Sequence, residues 1–358
     1  MLSVGLVGLP NVGKSTLFNA LTAGSAEMSN YPFTTIDSNV GMVAVPDERL
    51  TALAGVVEPE EVTPCFIRFV DVAGLVEGAS QGEGLGNRFL GNLRAVDAVA
   101  HVVRCFEAPD VAHVYPGVDP VRDAQVIETE LMLADLELVH RAYAAHEKEW
   151  RTRPREAGHE RDLLASFRET LEAGRPLSTL DLPPEDAARA RELGLLTGRP
   201  LLYVANVSEG EPETERVEAL RQAVAAPVIA VSAKIERELL DLPPDERALF
   251  MEELGITRSG LDRLIEASFD LLGLVRFYTV VSGKLRAWEI PRGTLAPQAA
   301  GKIHSDMEAG FIRARVARCE DLLAEGSFSA LQHQGRVATH GKEYPIEDGD
   351  VVEFLFQP

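Results

Sequence analysis

Residues Gly8 to Ser15 read G-L-P-N-V-G-K-S, which fits the pattern G-x-x-x-x-G-K-[ST]. The apolar run Leu2, Val4, Leu6, Val7 precedes this stretch, and the helical pattern T-L-F-N-A-L-T (Thr16–Thr22) follows it. Strand, glycine-rich turn and helix in that order form the setting in which such a loop wraps phosphate. Gly8 and Gly13 let the backbone curl, so that the N–H groups of Asn11, Val12, Gly13, Lys14, Ser15 and Thr16 turn toward one anion. The helix adds its partly positive N-terminus. Lys14 would reach the β- and γ-phosphates, and the Ser15 hydroxyl would fill one Mg²⁺ position. A strand–turn–helix that binds nothing is the plain alternative, and the flanking pattern argues against it.

At 358 residues the chain is long enough for two or three domains. Its three cysteines, Cys65, Cys105 and Cys319, are few, odd in number and far apart. They make no disulfide framework and no zinc spacing, and they suggest a reducing compartment, so a cytoplasmic protein is expected. No apolar run approaches the ~20 residues needed to cross a bilayer, so no membrane partner is expected. A net charge of −21 opposes binding to nucleic acid, leaving any RNA contact to a local basic patch. One window offers that patch. From Arg276 to Arg318 it holds eight basic residues (Arg276, Lys284, Arg286, Arg292, Lys302, Arg313, Arg315, Arg318) against Glu289, Asp306 and Glu308. Scattered solvated charge and a binding surface are both open readings of that window.

Along the chain, short apolar strands alternate with helices up to about residue 118, which predicts an α/β fold with a mostly parallel sheet. Residues 121–150 carry Ile127, Leu131, Ala134, Leu138 and Ala142 at three- and four-residue steps, an amphipathic helix. After the punctuation of Pro154 and Gly158, Asp162–Ala173 is helical again, so 119–199 reads as an inserted antiparallel helical hairpin packed as a coiled coil. The α/β pattern returns at Leu201–Val204 and runs to about 274. Residues 275–358 alternate like a small α+β unit. The expected division is thus 1–118 with 200–274, then 119–199, then 275–358. A monomer is expected, since no long apolar seam remains once the hairpin pairs with itself.

Three further pieces extend the phosphate loop. Asp71-Val-Ala-Gly74 ends a strand and fits D-x-x-G; its aspartate can hold a Mg²⁺-bound water, and the Gly74 N–H can meet the γ-phosphate. Asn30-Tyr-Pro-Phe-Thr-Thr-Ile36 offers Thr35, with Thr34 as the fallback, to complete the Mg²⁺ shell when a γ-phosphate is present. Gly78-Ala-Ser-Gln-Gly-Glu-Gly-Leu-Gly86 reads as a second switch segment.

These motifs, G-L-P-N-V-G-K-S-T-L-F-N-A-L-T, N-Y-P-F-T-T-I, D-V-A-G-L-V-E-G-A-S-Q-G-E-G-L-G-N, N-V-S-E and V-S-A-K, closely resemble the Obg-like ATPases. These form the YchF subfamily of translation-factor-related P-loop GTPases. The resemblance covers nearly the whole chain, including A-P-Q-A-A-G-K-I-H-S-D near residue 300 and E-D-G-D-V-V-E-F-L-F at the end. It implies a P-loop NTPase with a Ras-like G domain, the inserted hairpin, and a C-terminal TGS domain of ubiquitin-like β-grasp fold. It also implies a ribosome or RNA partner met through the TGS domain and hairpin.

The base is read at Asn206-Val-Ser-Glu209, where a guanine-specific relative would carry N-K-x-D. Val207 removes the lysine stem, and Glu209 is one methylene too long for the same bidentate bond to guanine. Adenine would suit an acceptor such as the Val207 carbonyl or the Asn206 amide oxygen. Ser232-Ala233-Lys234 would close over the base with backbone N–H groups and the Lys234 stem. The resemblance implies the same preference of ATP/ADP over GTP/GDP, with GTP binding left open. Leu75 replaces a water-orienting glutamine and has no donor or acceptor, so slow intrinsic turnover is expected. His113 is the candidate catalytic group beside Lys14 and Gly74; the resemblance places a mobile histidine there, and a plain surface histidine is the other reading. His101, inside a strand pattern, is expected to be packed. Asn11 resembles a position that holds K⁺ beside the phosphates in some related GTPases. The chain is therefore expected to be a slow Mg²⁺-dependent ATPase switch. A conventional GTPase and a nucleotide-gated binding module with incidental hydrolysis are the alternatives.

Overall fold

The computed structural model describes residues 2–26, 39–72, 85–152, 158–209 and 213–357. In chain order the first part holds β1 (Ser3–Val7), α1 (Lys14–Ala26), β2 (Val40–Ala44), α2 (Glu48–Val57), β3 (Glu61–Thr63), β4 (Phe66–Asp71), α3 (Leu85–Arg94) and β5 (Ala98–Arg104). The hairpin follows as α4 (Pro120–Thr152) and α5 (Gly158–Glu172), then α6 (Pro184–Glu192). Next come β6 (Leu201–Asn206), α7 (Glu215–Ala223), β7 (Val228–Val231), α8 (Ala233–Asp241), α9 (Pro244–Glu253) and α10 (Gly260–Leu271). The last part holds β8 (Leu274–Val281), β9 (Lys284–Pro291), α11 (Ala296–Ile303), α12 (Ser305–Ala309), β10 (Phe311–Arg318), α13 (Cys319–Glu325), α14 (Phe328–His333), β11 (Ala338–His340) and β12 (Asp350–Phe356).

The nucleotide-loop sheet has the order β2-β4-β1-β5-β6-β7. β1 pairs in parallel with β4 and β5, β5 with β6, and β6 with β7. β1 and β5 are buried at every residue, as parallel strands covered on both faces must be. Their continuous apolar runs are therefore what the sequence pattern displays. Several helices start where the sequence supplies an oxygen to the first turn. Asp119 accepts from the Val121 and Arg122 N–H groups at 3.1 Å ahead of α4, and Thr214 caps α7.

The hairpin helices meet over Val139, Trp150, Leu163, Leu164 and Phe167, the coiled-coil packing expected from their apolar steps. α4 is also tied back to the chain beyond the hairpin. Asp135, fully buried, accepts from Leu196 N at 2.8 Å, Thr197 N at 2.8 Å and Thr197 Oγ1 at 2.7 Å. Burial pushes the Asp135 carboxyl up from its usual range, and these donors offset part of that cost. Tyr203 on β6 donates its hydroxyl to Glu128 on α4.

The C-terminal sheet has the order β11-β10-β12-β8-β9-β3. β8 and β9 form an antiparallel hairpin, and the last strand, β12, lies parallel to β8 at its centre. α11 packs Ala296, Ala299 and Ala300 onto Phe277, Trp288 and Phe354. A first hairpin, a crossing helix and a final central parallel strand make the β-grasp arrangement. β3 extends the sheet by pairing in parallel with β9, Val62 opposite Leu285.

By contacts the chain divides into Met1–Gly41 with Arg68–Leu264, and Met42–Ile67 with Ile265–Pro358. This differs from the expected division in three places, the first being that the C-terminal unit begins at Ile265 rather than at residue 275. The hairpin groups with the parallel sheet, through contacts such as that of Glu128 with Tyr203 on β6. Residues 42–67 group with the C-terminal sheet through β3 and through polar bonds from α2's approach. Arg276 Nη1 donates to Pro46 O at 2.8 Å, and the Tyr278 hydroxyl lies 2.9 Å from Asp47.

His101 is buried in β5, with its ring centroid 5.1 Å from that of Tyr203, as its strand position predicted. Burial pushes its pKa from 6.5 down to about 3. Unfolded, the imidazole protonates near 6.5; folded, it resists protonation until about 3. Its contribution to stability is therefore complete above 6.5 and is lost as pH falls through that window. Urea titrations at stepped pH are expected to show wild type losing about 1.4 kcal/mol more per pH unit than His101→Leu within the window. Parallel pH profiles for the two chains would contradict this.

Candidate functional site

β1 delivers the chain to the phosphate loop at Gly8, where a Cβ would lie 2.5 Å from the Val102 carbonyl oxygen of β5. Only glycine allows that approach. Asn11 (φ 63°) and Gly13 (φ 91°) both take the left-handed conformation that bends the loop back on itself. α1 then begins at Lys14, and its first bond is Leu17 N–H to Gly13 O at 3.0 Å. Lys14 is nearly buried, and its ammonium is paired with the carboxylate of Asp71 at the end of β4. Val12 packs inward, while Ser15 and Thr16 are exposed on the first turn of α1.

Asn206, the last residue of β6, joins this loop to the region expected to meet the base. Its side chain is 5% exposed, donating from Nδ2 to Val12 O at 2.8 Å and accepting at Oδ1 from Ala233 N–H at 3.1 Å. The bridge explains Gly13 a second time, because a Cβ there would overlap the Asn206 amide. It also bears on two expectations. The Asn206 amide oxygen, offered to the base as the alternative to the Val207 carbonyl, accepts from the Ala233 N–H, which was itself expected at the base. Asn206 is thus a positioning residue.

Ser232 caps α8, its hydroxyl 3.5 Å from Ile235 N, and so works on the helix. Glu209 Oε2 lies 3.4 Å from Lys234 Nζ with both side chains exposed. Such pairs contribute only about 0–1 kcal/mol and separate readily. A cleft of about 410 Å³ runs from Gly13 and Thr16 to Asn206–Glu209 and Ser232–Lys234. Its remaining wall is Phe106, Glu107 and Ala108, just beyond β5, which pattern reasoning missed. The available signal was an aromatic residue directly after the edge of a buried strand.

The loop after β5 also carries His113. Asn11 Nδ2 donates to Ala112 O at 3.1 Å, so the phosphate loop is bonded next to the histidine. The ring itself is engaged elsewhere. Nδ1 lies 3.0 Å from both the N–H and the carbonyl oxygen of Tyr115, and Nε2 lies 2.9 Å from Asp123 Oδ2 on the first turn of α4. Because a carboxylate only accepts, Nε2 carries a proton and donates it to Asp123. The other Asp123 oxygen takes Arg122 Nη2 at 2.8 Å. In this arrangement no lone pair of His113 is left for a water. Thr34, Thr35, Gly74, Leu75 and Gly78–Gly84 lie outside the described residues.

The donor chemistry fits a hard divalent cation. Ser15 offers a hydroxyl and Asp71 a carboxylate beside the Lys14 ammonium, the oxygen set Mg²⁺ takes when phosphate completes it.

The basic window looks different in three dimensions. Arg276 pairs with Asp47 at 3.6 Å, Lys284 with Glu61 at 2.7 Å, Lys302 with Glu289 at 2.6 Å, and Arg315 with Glu353 at 3.1 Å. Arg318 bonds Glu347 at 2.5 Å and Asp350 at 3.2 Å. Among the described residues only Arg286, Arg292 and Arg313 of the eight have no carboxylate partner, and the Arg286 guanidinium lies 3.9 Å over Trp288. Most of the neutralising acids are remote in sequence, and Glu61, Glu353 and Asp350 arrive through strand pairing.

Comparison with known proteins agrees with this geometry. A family model described as a 50S ribosome-binding GTPase matches residues 3–136. The model for the C-terminal part of YchF GTPases, described as a protein of unknown function (DUF933), matches residues 274–357. The Ribosome-binding ATPase YchF of Bacillus subtilis (strain 168) is 47% identical over 362 residues, 99% of each chain. The protein of the same name from Escherichia coli O157:H7 is 45% identical over 356 residues, 98% of each chain. The structure of the Schizosaccharomyces pombe YchF GTPase superposes with a TM-score of 0.88 at 33% identity, covering 99% of this chain and 97% of that one. No helix of the described residues is long and apolar enough to cross a membrane. Matched over 99% of its length by a relative 47% identical and by a solved structure at 33% identity, the chain belongs to the YchF family of P-loop GTPases.

Proposed function

We propose that the protein hydrolyses the terminal phosphoanhydride of a purine nucleoside triphosphate, prefers ATP to GTP, turns over slowly alone, and switches its contact with the ribosome. The supporting observation is the cleft that runs from Gly13 and Thr16 of the phosphate loop to the Val207 and Lys234 end, joined by Asn206. Relatives named ribosome-binding ATPase support the same assignment.

The loop N–H groups from Asn11 to Thr16 would bind phosphate oxygens, and Lys14 would exchange Asp71 for the β- and γ-phosphates. Ser15 and Asp71 would hold Mg²⁺, with Thr35 added in the triphosphate state and the Gly74 N–H directed to the γ-phosphate. When bound, the ion neutralises phosphate charge. Val207 supplies no lysine stem and the Glu209 side chain is one methylene longer than the guanine-binding aspartate, which disfavours guanine. Asn11, already bonded to Ala112, would place its amide oxygen beside a potassium ion; equal turnover in sodium and potassium would remove that role.

Water activation at His113 requires the ring to leave Asp123 and Tyr115. That engagement favours a second reading, a nucleotide-gated ribosome-binding module whose hydrolysis is incidental. A cytoplasmic monomer meeting the ribosome through the C-terminal sheet and the hairpin suits both readings.

Calorimetry on nucleotide-free protein is expected to give ATP at least tenfold tighter than GTP, and Lys14→Ala is expected to lose hydrolysis at least a hundredfold. Equal affinities would indicate a conventional GTPase, and full activity in the variant would remove Lys14 from the chemistry. Ribosomes are expected to raise ATP turnover; unchanged turnover with nucleotide-dependent binding would favour the module.

Reversing Arg286 and Arg313 to glutamate is expected to weaken ribosome association and to lower the salt slope by about two counterions. Arg315→Glu would in addition break the Glu353 pair. Unchanged binding and slope would return these residues to solvated surface.

A further inference from the structure

We propose that Arg104 is the positioning residue of the cleft, its buried guanidinium fixing the loop after β5 so that Phe106 and Ala108 wall the nucleotide base; this rests on the purine-nucleotide reading of the cleft. Arg104 ends β5 and is 2% exposed. Among the described residues its bonds go to no carboxylate. They go to three carbonyls of one loop: Nε to Phe106 O at 3.2 Å, Nη2 to Ala108 O at 3.1 Å and Nη1 to Val111 O at 3.1 Å. The guanidinium also lies 4.6 Å from the centroid of the Phe106 ring.

A buried charge is costly unless it is bonded, and the rest of β5 is Ala98, Val99, Ala100, His101, Val102 and Val103. An apolar residue would complete that strand at lower cost if packing were its only task. What arginine adds is a rigid fork whose donors point in fixed directions, here onto three successive parts of one loop. Lysine concentrates its charge at one point and cannot span them. Two of the three carbonyls belong to residues that line the cleft, Phe106 and Ala108. One residue beyond the third, Ala112 O is bonded to Asn11 of the phosphate loop. The loop is therefore pinned to β5 by Arg104 and to the phosphate loop by Asn11, with the base wall between.

The test separates base binding from phosphate binding. ATP and inorganic tripolyphosphate, which has the charge but no base, are titrated into the full chain and into Arg104→Lys and Arg104→Met. The unsubstituted chain must bind ATP; if it does not, the nucleotide reading fails, whatever Arg104 does. In a folded variant ATP is expected to bind at least tenfold more weakly, while tripolyphosphate changes less than twofold. Unchanged ATP affinity, or equal weakening of both ligands, would overturn the proposal. Phe106→Ala combined with Arg104→Lys is expected to bind ATP no more weakly than the worse single variant, and additive losses would overturn the proposal. Hydrogen exchange in the unsubstituted chain needs no variant. ATP is expected to protect amides 106–112 and tripolyphosphate to leave them unchanged; equal protection, or none, would overturn the proposal.

Discussion

The Asn206 side chain makes one site out of three distant pieces of sequence. Its amide bonds the phosphate loop at Val12 and the start of α8 at Ala233, and its own strand ends at the cleft floor. An amide suits this task because it donates at one end and accepts at the other. Buried, it holds both loops at hydrogen-bond distance, and losing either partner would leave a polar group unpaired at a cost of about 1–3 kcal/mol. Gly13 is glycine partly because that amide occupies the space a Cβ would need.

Around this bridge the parallel sheet does little more than deliver chain ends. β1, β4, β5 and β6 run side by side in one direction, so their C-terminal residues, Val7, Asp71, Arg104 and Asn206, all lie at the same edge. Each of those ends then takes a different task. Val7 leads into the phosphate loop, Asp71 faces Lys14, Arg104 sets the loop of Phe106, and Asn206 closes the bridge. Ligand sites at the carboxyl edge of a parallel sheet follow from this geometry. The engagement of His113 by Asp123 adds a link from the loop of Phe106 to the first turn of the hairpin helix α4.

Much of this was legible in the sequence because it is local. The phosphate loop, the D-x-x-G strand end, the buried strands and the amphipathic hairpin are each written within a few neighbouring residues. What was not legible depends on tertiary pairing. β3 is three residues long and has no periodicity, so nothing marked residues 42–67 as partners of the C-terminal sheet. The basic window reads as basic only until Glu347, Asp350 and Glu353 fold back on Arg318 and Arg315. Asn206 was recognised as a site residue, but its bridge was not visible, since sequence spacing cannot reveal that Val12 and Ala233 flank it. Nothing local marks Arg104, because its three carbonyl partners become visible only when the following loop curls over it.

The most direct test is a crystal structure of the protein with magnesium and a non-hydrolysable ATP analogue. The triphosphate is expected on the N–H groups of residues 11–16 with Lys14 released from Asp71. The adenine is expected between Phe106 and the Lys234 stem, its amino group on the Val207 carbonyl and the Asn206 bridge intact. Analogue bound away from that cleft, or phosphates on the loop with Asn206 swung out to hold the base, would contradict the account.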